Sequence, residues 1–343
     1  MKPATTDDVL DLLDAPFSAV ALGTALELGL FWLLEEKPRD GAEVAETLDI
    51  PQQRCRYWLQ ILDKAGLIEQ MPEGYKSSET TRRTILETLS QSSWALLAKE
   101  ARERMLGLRD LTRYIQLSGS AWAAMGLEVP DYIARMTESP EVARSFTRML
   151  FELHQALARN LTEFIDIQDV KSVMDLGGGS GVISMAFLRR YPDLNSTVVD
   201  ITNVCAAGQE IATEQLLQER ITFHPANFLK DELPLGFDMV LECDVGVYSE
   251  ALFCKVLSAL NPRGRFVIVD QFSPAEGVAP PSRVHWAFEG SLRDPEFVFL
   301  TADQVEDLLQ DAGFKNISRH VLPPFQDVAA RFSIGMYLIE ACK

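Results

Sequence analysis

The heptapeptide Asp175-Leu176-Gly177-Gly178-Gly179-Ser180-Gly181 joins an apolar run, Ser172 to Met174, to a helical one, Val182 to Leu188. Glycines in such a turn let backbone pass close to a ligand at a helix N-terminus, where nucleotides are commonly held. The next apolar run, Thr197-Val198-Val199, ends in Asp200, which places a carboxylate where a ribose diol would lie. A dinucleotide fingerprint needs its third glycine three positions after the second. Here Gly179 is followed by Ser180, Gly181 and Val182, so that reading fails. Asp175 ahead of the turn also suits a ligand with a positive group better than a pyrophosphate.

Side chains able to move protons or bind metals are sparse. There are 4 histidines, His154, His224, His285 and His320. His224 and His320 fall within strand-like runs and read as structural. The 5 cysteines, Cys55, Cys205, Cys243, Cys254 and Cys342, form no C-x-x-C pair and have no histidine at ligand spacing. They read as buried thiols in a reducing compartment, and no metal site is expected. A net charge of -18 opposes any role that depends on gripping phosphates or anionic membranes. Small molecules or proteins are the expected partners, not nucleic acid and not membrane.

A scaffold must position these groups, and 343 residues exceed the usual single core, so two domains are expected. From Asp7 to Leu34 apolar residues recur at helical spacing on more than one face, which calls for a partner surface. The first residues carry no apolar signal region, and no stretch reads as long and uncharged enough to span a bilayer, so a cytoplasmic chain is expected. Gly41 to Leu48 and Pro51 to Ala65 read as two helices, and Leu67 to Gln70 with Gly74 to Lys76 as a hairpin. Helix, helix, hairpin is a winged-helix order. Its second helix offers Gln52, Gln53, Arg54 and Arg56 to DNA, but the acidic chain favours a dimerisation module. Residues from Thr84 to Asp166 read as helical throughout.

After Val170 short apolar runs alternate with helical segments, the pattern of a parallel sheet. The runs are Ser172 to Leu176, Ser196 to Ile201, Ile221 to Ala226, Phe237 to Cys243 and Arg265 to Phe272. Asn316 to Val321 and Phe332 to Ala341 follow too closely for a crossover helix, so they are expected as an antiparallel pair.

The glycine turn resembles the acidic-x-Gly-x-Gly-x-Gly motif of class I S-adenosylmethionine-dependent methyltransferases. Over nearly its full length the chain resembles the small-molecule O-methyltransferases of the caffeate and hydroxyindole type. The resemblance implies an α/β fold: a seven-stranded Rossmann-like sheet (167–343), a winged-helix dimerisation domain (1–100) and a helical linker roofing the acceptor pocket (101–166). It implies S-adenosylmethionine as cofactor, a small-molecule acceptor and a homodimer. Asp175, Gly177, Gly178, Gly179 and Gly181 match the methionine-binding turn and Asp200 the ribose acid, with Ile201 and Cys243 beside the cofactor. Asn227-Phe228 falls where the family shows Asp-Phe near the adenine.

The departure lies after the fourth strand, where the family has a His-Asp-Trp whose His removes the acceptor's proton. Aligned from Asp238, Val247 and Tyr248 stand at the His-Asp positions. The family's Gly-Gly-x-x-Arg-Thr also gives way, to Arg293-Asp294-Pro295-Glu296-Phe297-Val298-Phe299-Leu300-Thr301. A phenol with a pKa of about 10 stays protonated at neutral pH, so a base is worth roughly 10²- to 10⁴-fold. A thioether has no proton to lose. The missing His therefore shifts weight toward sulfur, nitrogen or carbon acceptors, with thioether methylation of the methylthiohydroxybutyrate kind as one home, or toward another base. A rival reading is a cofactor-binding protein without transfer. Candidate bases are His285, placed on the carboxyl side of the sheet and preferred, then His154, on a helix from Val142 to Leu161, and Asp244. Arg283 or Arg148 could clamp an acceptor carboxylate. Phe146, Met149, Tyr248 and Trp286 are candidate acceptor-lining residues, and by resemblance Phe17 reaches the other subunit's acceptor.

Overall fold

Thr5 opens the first helix, Thr6–Glu27, with a capping box: its Oγ1 accepts from the Asp8 amide at 3.2 Å and Asp8 Oδ2 accepts from the Thr5 amide at 2.8 Å. Asp40 and Glu43 repeat the device at the helix Gly41–Thr47. The computed structural model describes residues 2–343 except 130, 326, 329–331 and 333. It divides into two units, Met1–Arg109 and Asp110–Lys343.

In the first unit the apolar stretch predicted from Asp7 to Leu34 becomes two helices, Thr6–Glu27 and Leu30–Glu36, split at Gly29 with φ 72°. Gly41–Thr47 and Gln52–Lys64 precede an antiparallel hairpin of β1 (Ile68–Met71) and β2 (Gly74–Ser77). A side chain at Gly74 would strike the Arg39 backbone at 2.3 Å, which fixes glycine at that turn. Leu30, Phe31, Leu59, Leu62 and Ile68 form the core. The first helix buries little: Leu13 is 70% and Phe17 68% exposed. The expectation that no stretch is long and apolar enough to cross a membrane is corrected here. The 22 residues of Thr6–Glu27 meet that length and composition, because Asp11 and Asp14 are too few charges to break the apolar run.

In the second unit the segment predicted as helical throughout is broken. Leu111–Tyr114 and Ala121–Ala124 are single turns, and Tyr132–Glu138, Pro140–Leu153 and Gln155–Phe164 are separate helices. The sheet strands are β3 (Ser172–Leu176), β4 (Asn195–Asp200), β5 (Ile221–Pro225), β6 (Phe237–Cys243), β7 (Leu260–Gln271), β8 (Lys315–Val321) and β9 (Met336–Cys342). Their order is β5-β4-β3-β6-β7-β9-β8. The first five run parallel and β9 lies antiparallel between β7 and β8. This is the seven-stranded α/β sheet that the apolar runs predict. Alternate side chains feed opposite faces: Val267 and Val269 join Leu161, Ile183 and Leu188, whereas Phe266 and Ile268 join Phe253 and Val305. Each large apolar side chain so buried contributes about 1.5–3 kcal/mol. Order reverses at β3, whose neighbours are β4 and β6, so the carboxyl ends of β3 and β6 flank the crevice where open α/β sheets bind ligands.

Candidate active site

β3 delivers Asp175 and Leu176, and the chain then turns through Gly177, Gly179 and Gly181, at φ 68°, 55° and 72°. A Cβ at Gly181 would press 2.9 Å from Ile221 Cδ1, and one at Gly177 would lie 2.8 Å from Val245 Cγ2. At Gly179 a Cβ would meet nothing within 4 Å. The turn is packed below and open above, as a cradle for a ligand must be.

Asp200, ending β4, is oriented by two amides: Gly179 N donates to Oδ2 at 3.0 Å and Ile201 N to Oδ1 at 2.7 Å. Burial pushes its carboxyl up to about 6. Asp175 accepts from Ser184 Oγ at 2.6 Å, and burial pushes it up to about 6 as well. These groups fit S-adenosylmethionine: Asp200 for ribose hydroxyls, Asp175 on the side of the amino group, and the turn's open face for the methionine portion. Asn227 spends part of its oxygen on the Leu229 amide at 3.1 Å, and Phe228 lies 3.5 Å from where a Gly177 Cβ would stand.

The cofactor carboxyls give a pH dependence with a definite sign. Their raised values favour the neutral form, so their contribution to the free protein's stability is present below pH 3.8 and lost as pH rises through about 6. Ribose hydroxyls and an ammonium group prefer the ionised forms. Affinity for S-adenosylhomocysteine should therefore weaken about tenfold per carboxyl at pH 5 relative to pH 7, with proton release on binding near pH 6. Calorimetry in two buffers of different ionisation heat checks both.

The predicted helix from Val142 to Leu161 breaks at His154. Pro140–Leu153 ends there, His154 adopts φ -97° and ψ 6°, and Gln155–Phe164 resumes. The break seats His154 on a cavity shared with Leu150, Leu157, Asp175, Gly177 to Gly179, Cys243 and Asp244. Among the described residues its Nε2 makes no hydrogen bond, and it stands 4.0 Å from Asp244 Oδ2. Burial holds the imidazole below its ordinary value, partly countered by the Asp244 charge.

Asp244 follows β6 in the left-handed region, φ 57°, a strained backbone of the kind kept at functional positions. It is paired with Arg283, whose Nε donates to Gln271 Oε1 at 2.5 Å and whose terminal nitrogen lies 3.8 Å from Asp270. Tyr248 donates its hydroxyl to Asp270 at 2.5 Å. Burial pushes Asp270 up to about 6 and lifts the Tyr248 hydroxyl well above its usual value, with the Glu242 and Asp270 charges adding to the latter. Glu242 is 1% exposed, and burial drives its carboxyl far above the usual range, only partly offset by the amides of Gly246 and Val247. Burial also raises the Cys243 thiol. Val247 packs into the apolar layer over β6 and β7.

The structure thus gathers Asp244, His154, Tyr248, Arg283 and Cys243 around one site. It places His285 exposed and Trp286 half exposed on the helix Val284–Arg293. Phe146 packs with Met136, Ala143 and Val204 against Ile201, and Met149 is buried. Phe17 belongs to the first unit. Arg148 is corrected: its guanidinium forms a bidentate pair with Glu214 at 2.8 and 2.7 Å, because the facing helix Thr202–Glu214 offers that carboxylate first. Sequence reading missed Glu242, Asp270, Gln271 and Ser184. Their position at or near the carboxyl ends of strands was the available signal for the first three.

Known proteins resemble this chain. The O-methyltransferase domain family matches residues 108–315. The chain is 31% identical over 232 residues, 67% of its length and 66% of the relative's, to 3-hydroxy-5-methyl-1-naphthoate 3-O-methyltransferase of Streptomyces sahachiroi. It is 27% identical over 231 residues, 67% of each chain, to N,N-dimethyltransferase OxyT of Streptomyces rimosus. It therefore spans about two thirds of those relatives. Among solved structures, PigF with SAH superposes with a TM-score of 0.82 at 19% identity, covering 99% of this chain and 100% of that one, a likeness of fold.

Proposed function

Because this chain belongs to the O-methyltransferase family, whose domain spans residues 108–315, we propose that it is an S-adenosylmethionine-dependent enzyme that methylates a small molecule held between His154 and Asp244. When bound, the cofactor supplies a methyl group on a sulfonium sulfur. Asp175, the turn Gly177 to Gly181 and Asp200 would hold it, with Ile201, Asn227, Phe228 and Cys243 around them.

The observation that carries the acceptor side is Nε2 of His154, buried, without a hydrogen bond among the described residues and 4.0 Å from a carboxylate in the cavity that contains the glycine turn. A hydroxyl oxygen seated there can lie about 2.8 Å from both His154 Nε2 and Asp244 Oδ2. His154, neutral at pH 7 because burial lowers its affinity for protons, takes the hydroxyl proton. Asp244 then pairs with the imidazolium. Leu150 and Leu157 keep water out. His154 thereby replaces the histidine absent from position 247.

A second reading is supported by Val247 itself: an apolar residue at the family's base position suits a thioether acceptor, which needs only alignment. The relatives' names, which include both oxygen and nitrogen methylation, leave room for either. Following S-adenosylhomocysteine formation over a panel of phenols, aromatic amines and thioethers separates them. Hydroxyl acceptors turning over with an acid limb below pH 6.5 support His154 as base. Turnover confined to thioethers, flat from about pH 6.5 to 9, overturns it.

The first unit is proposed as a winged-helix dimerisation module, supported by the exposed Val9, Leu13, Phe17 and Val20 on Thr6–Glu27. Sedimentation at micromolar concentration should give a dimer. A folded monomer, or recovery of the protein with lipid vesicles, argues against it.

A further inference from the structure

Asp244 and Asp270 lie at the carboxyl ends of neighbouring strands, since Cys243 of β6 pairs with Val269 of β7. The single guanidinium of Arg283 lies against both carboxylates. Arg283 comes from the short turn Pro281–Arg283 and lays its planar fork across both: a terminal nitrogen on Asp244 and 3.8 Å from Asp270, and Nε on Gln271. We propose that Arg283 is a positioning residue, keeping Asp244 aimed at His154 by tethering it to Asp270 and Gln271. This rests on the reading of His154 as the base.

The tether joins three separate parts of the chain: the end of β6, the end of β7 and the segment leading into Val284–Arg293. A fixed fork is needed to reach an acid and an amide in two directions, which a lysine ammonium does not provide as well. The titratable groups facing the pair are Glu242 and Cys243 from β6, Tyr248 from the loop after it, Asp270 from β7, His154 from the helix break and Asp175 from the opposite wall. With Arg283 in place, Asp270 is held by Tyr248 and the Gln271 amide. Remove Arg283, and Asp244 and Asp270 lose the cation that lies against both.

The titration of His154 itself reads this without an acceptor. NMR of histidine-labelled protein follows the His154 imidazole from pH 4.5 to 8.5 in the wild type, Arg283→Met and Arg283→Lys. Calorimetric binding of S-adenosylhomocysteine serves as the check on folding. Arg283→Met should move the His154 midpoint by ~0.5 unit or more and add a second inflection. Arg283→Lys should give a smaller change, and adding Asp270→Asn to Arg283→Met should remove the extra inflection. If Arg283→Met does not bind S-adenosylhomocysteine, Arg283→Gln and Arg283→Lys carry the same comparison. A His154 curve that superimposes on the wild type in folded variants overturns the proposal. So does an extra inflection that persists with Asp270→Asn. Should His154→Ala retain full turnover, the base reading fails by kinetics, while the titration still decides whether Arg283 governs Asp244.

Discussion

His154→Ala lowers kcat by on the order of 10²- to 10⁴-fold with a hydroxyl acceptor, the range assigned to a positioned general base, and leaves the Kd for S-adenosylhomocysteine within about twofold. The separation is expected because Nε2 stands beside Asp244, whereas the Asp200 carboxyl is held apart from it by the amides of Gly179 and Ile201. Wild-type kcat at saturating cofactor should be flat above pH 6.5 and fall below it, since burial lowers the imidazole's proton affinity and protonation removes the base. The alanine variant should lose that limb. His285→Ala, on an exposed helix position, should leave kcat within about twofold. A His154→Ala enzyme that keeps its rate would move the chemistry to an acceptor with no proton to give up.

Gly179→Val abolishes binding of S-adenosylhomocysteine, the second large effect. At φ 55° a β-branched residue is strained, and its side chain enters the open space above the turn. Asp200→Ala weakens binding by about 10- to 100-fold, corresponding to the roughly 1–3 kcal/mol lost when a buried hydrogen-bonding partner is removed. Isothermal calorimetry measures both, and circular dichroism confirms that each variant is folded. Binding retained by Gly179→Val would place the cofactor elsewhere.

The strand, glycine turn and helix start were legible because their devices are local. Ser172 to Gly181 carries strand, turn and helix start within one short stretch, and Asp200 ends the next apolar run. The sheet was legible for the same reason, down to the antiparallel partners β8 and β9, whose separation is too short for a crossover helix. The acceptor half was not. Asp244, Asp270 and Arg283 meet only in three dimensions, and no spacing rule links them. His154, a candidate base in sequence, was read as one residue of an uninterrupted helix because no glycine or proline marks the break that seats it on the cavity. Arg148 looked free in sequence, but Glu214 on a facing helix claims it.

The position of β9 has a consequence for how the protein is made. β9 pairs with β7 from Arg265↔Cys342 to Gln271↔Met336 and with β8 on its other side. Until residue 336 and those beyond it leave the ribosome, β7 presents a bare hydrogen-bonding edge and β8 has no neighbour. Such an edge is a template for pairing with other chains. Asp270 and Gln271 lie opposite Tyr337 and Met336, so the groups that anchor Arg283 are fixed only when this last strand inserts. Nascent chains cut short before Met336 should therefore aggregate instead of accumulating as partly active enzyme, and the acceptor site should be the final part of the molecule to assemble.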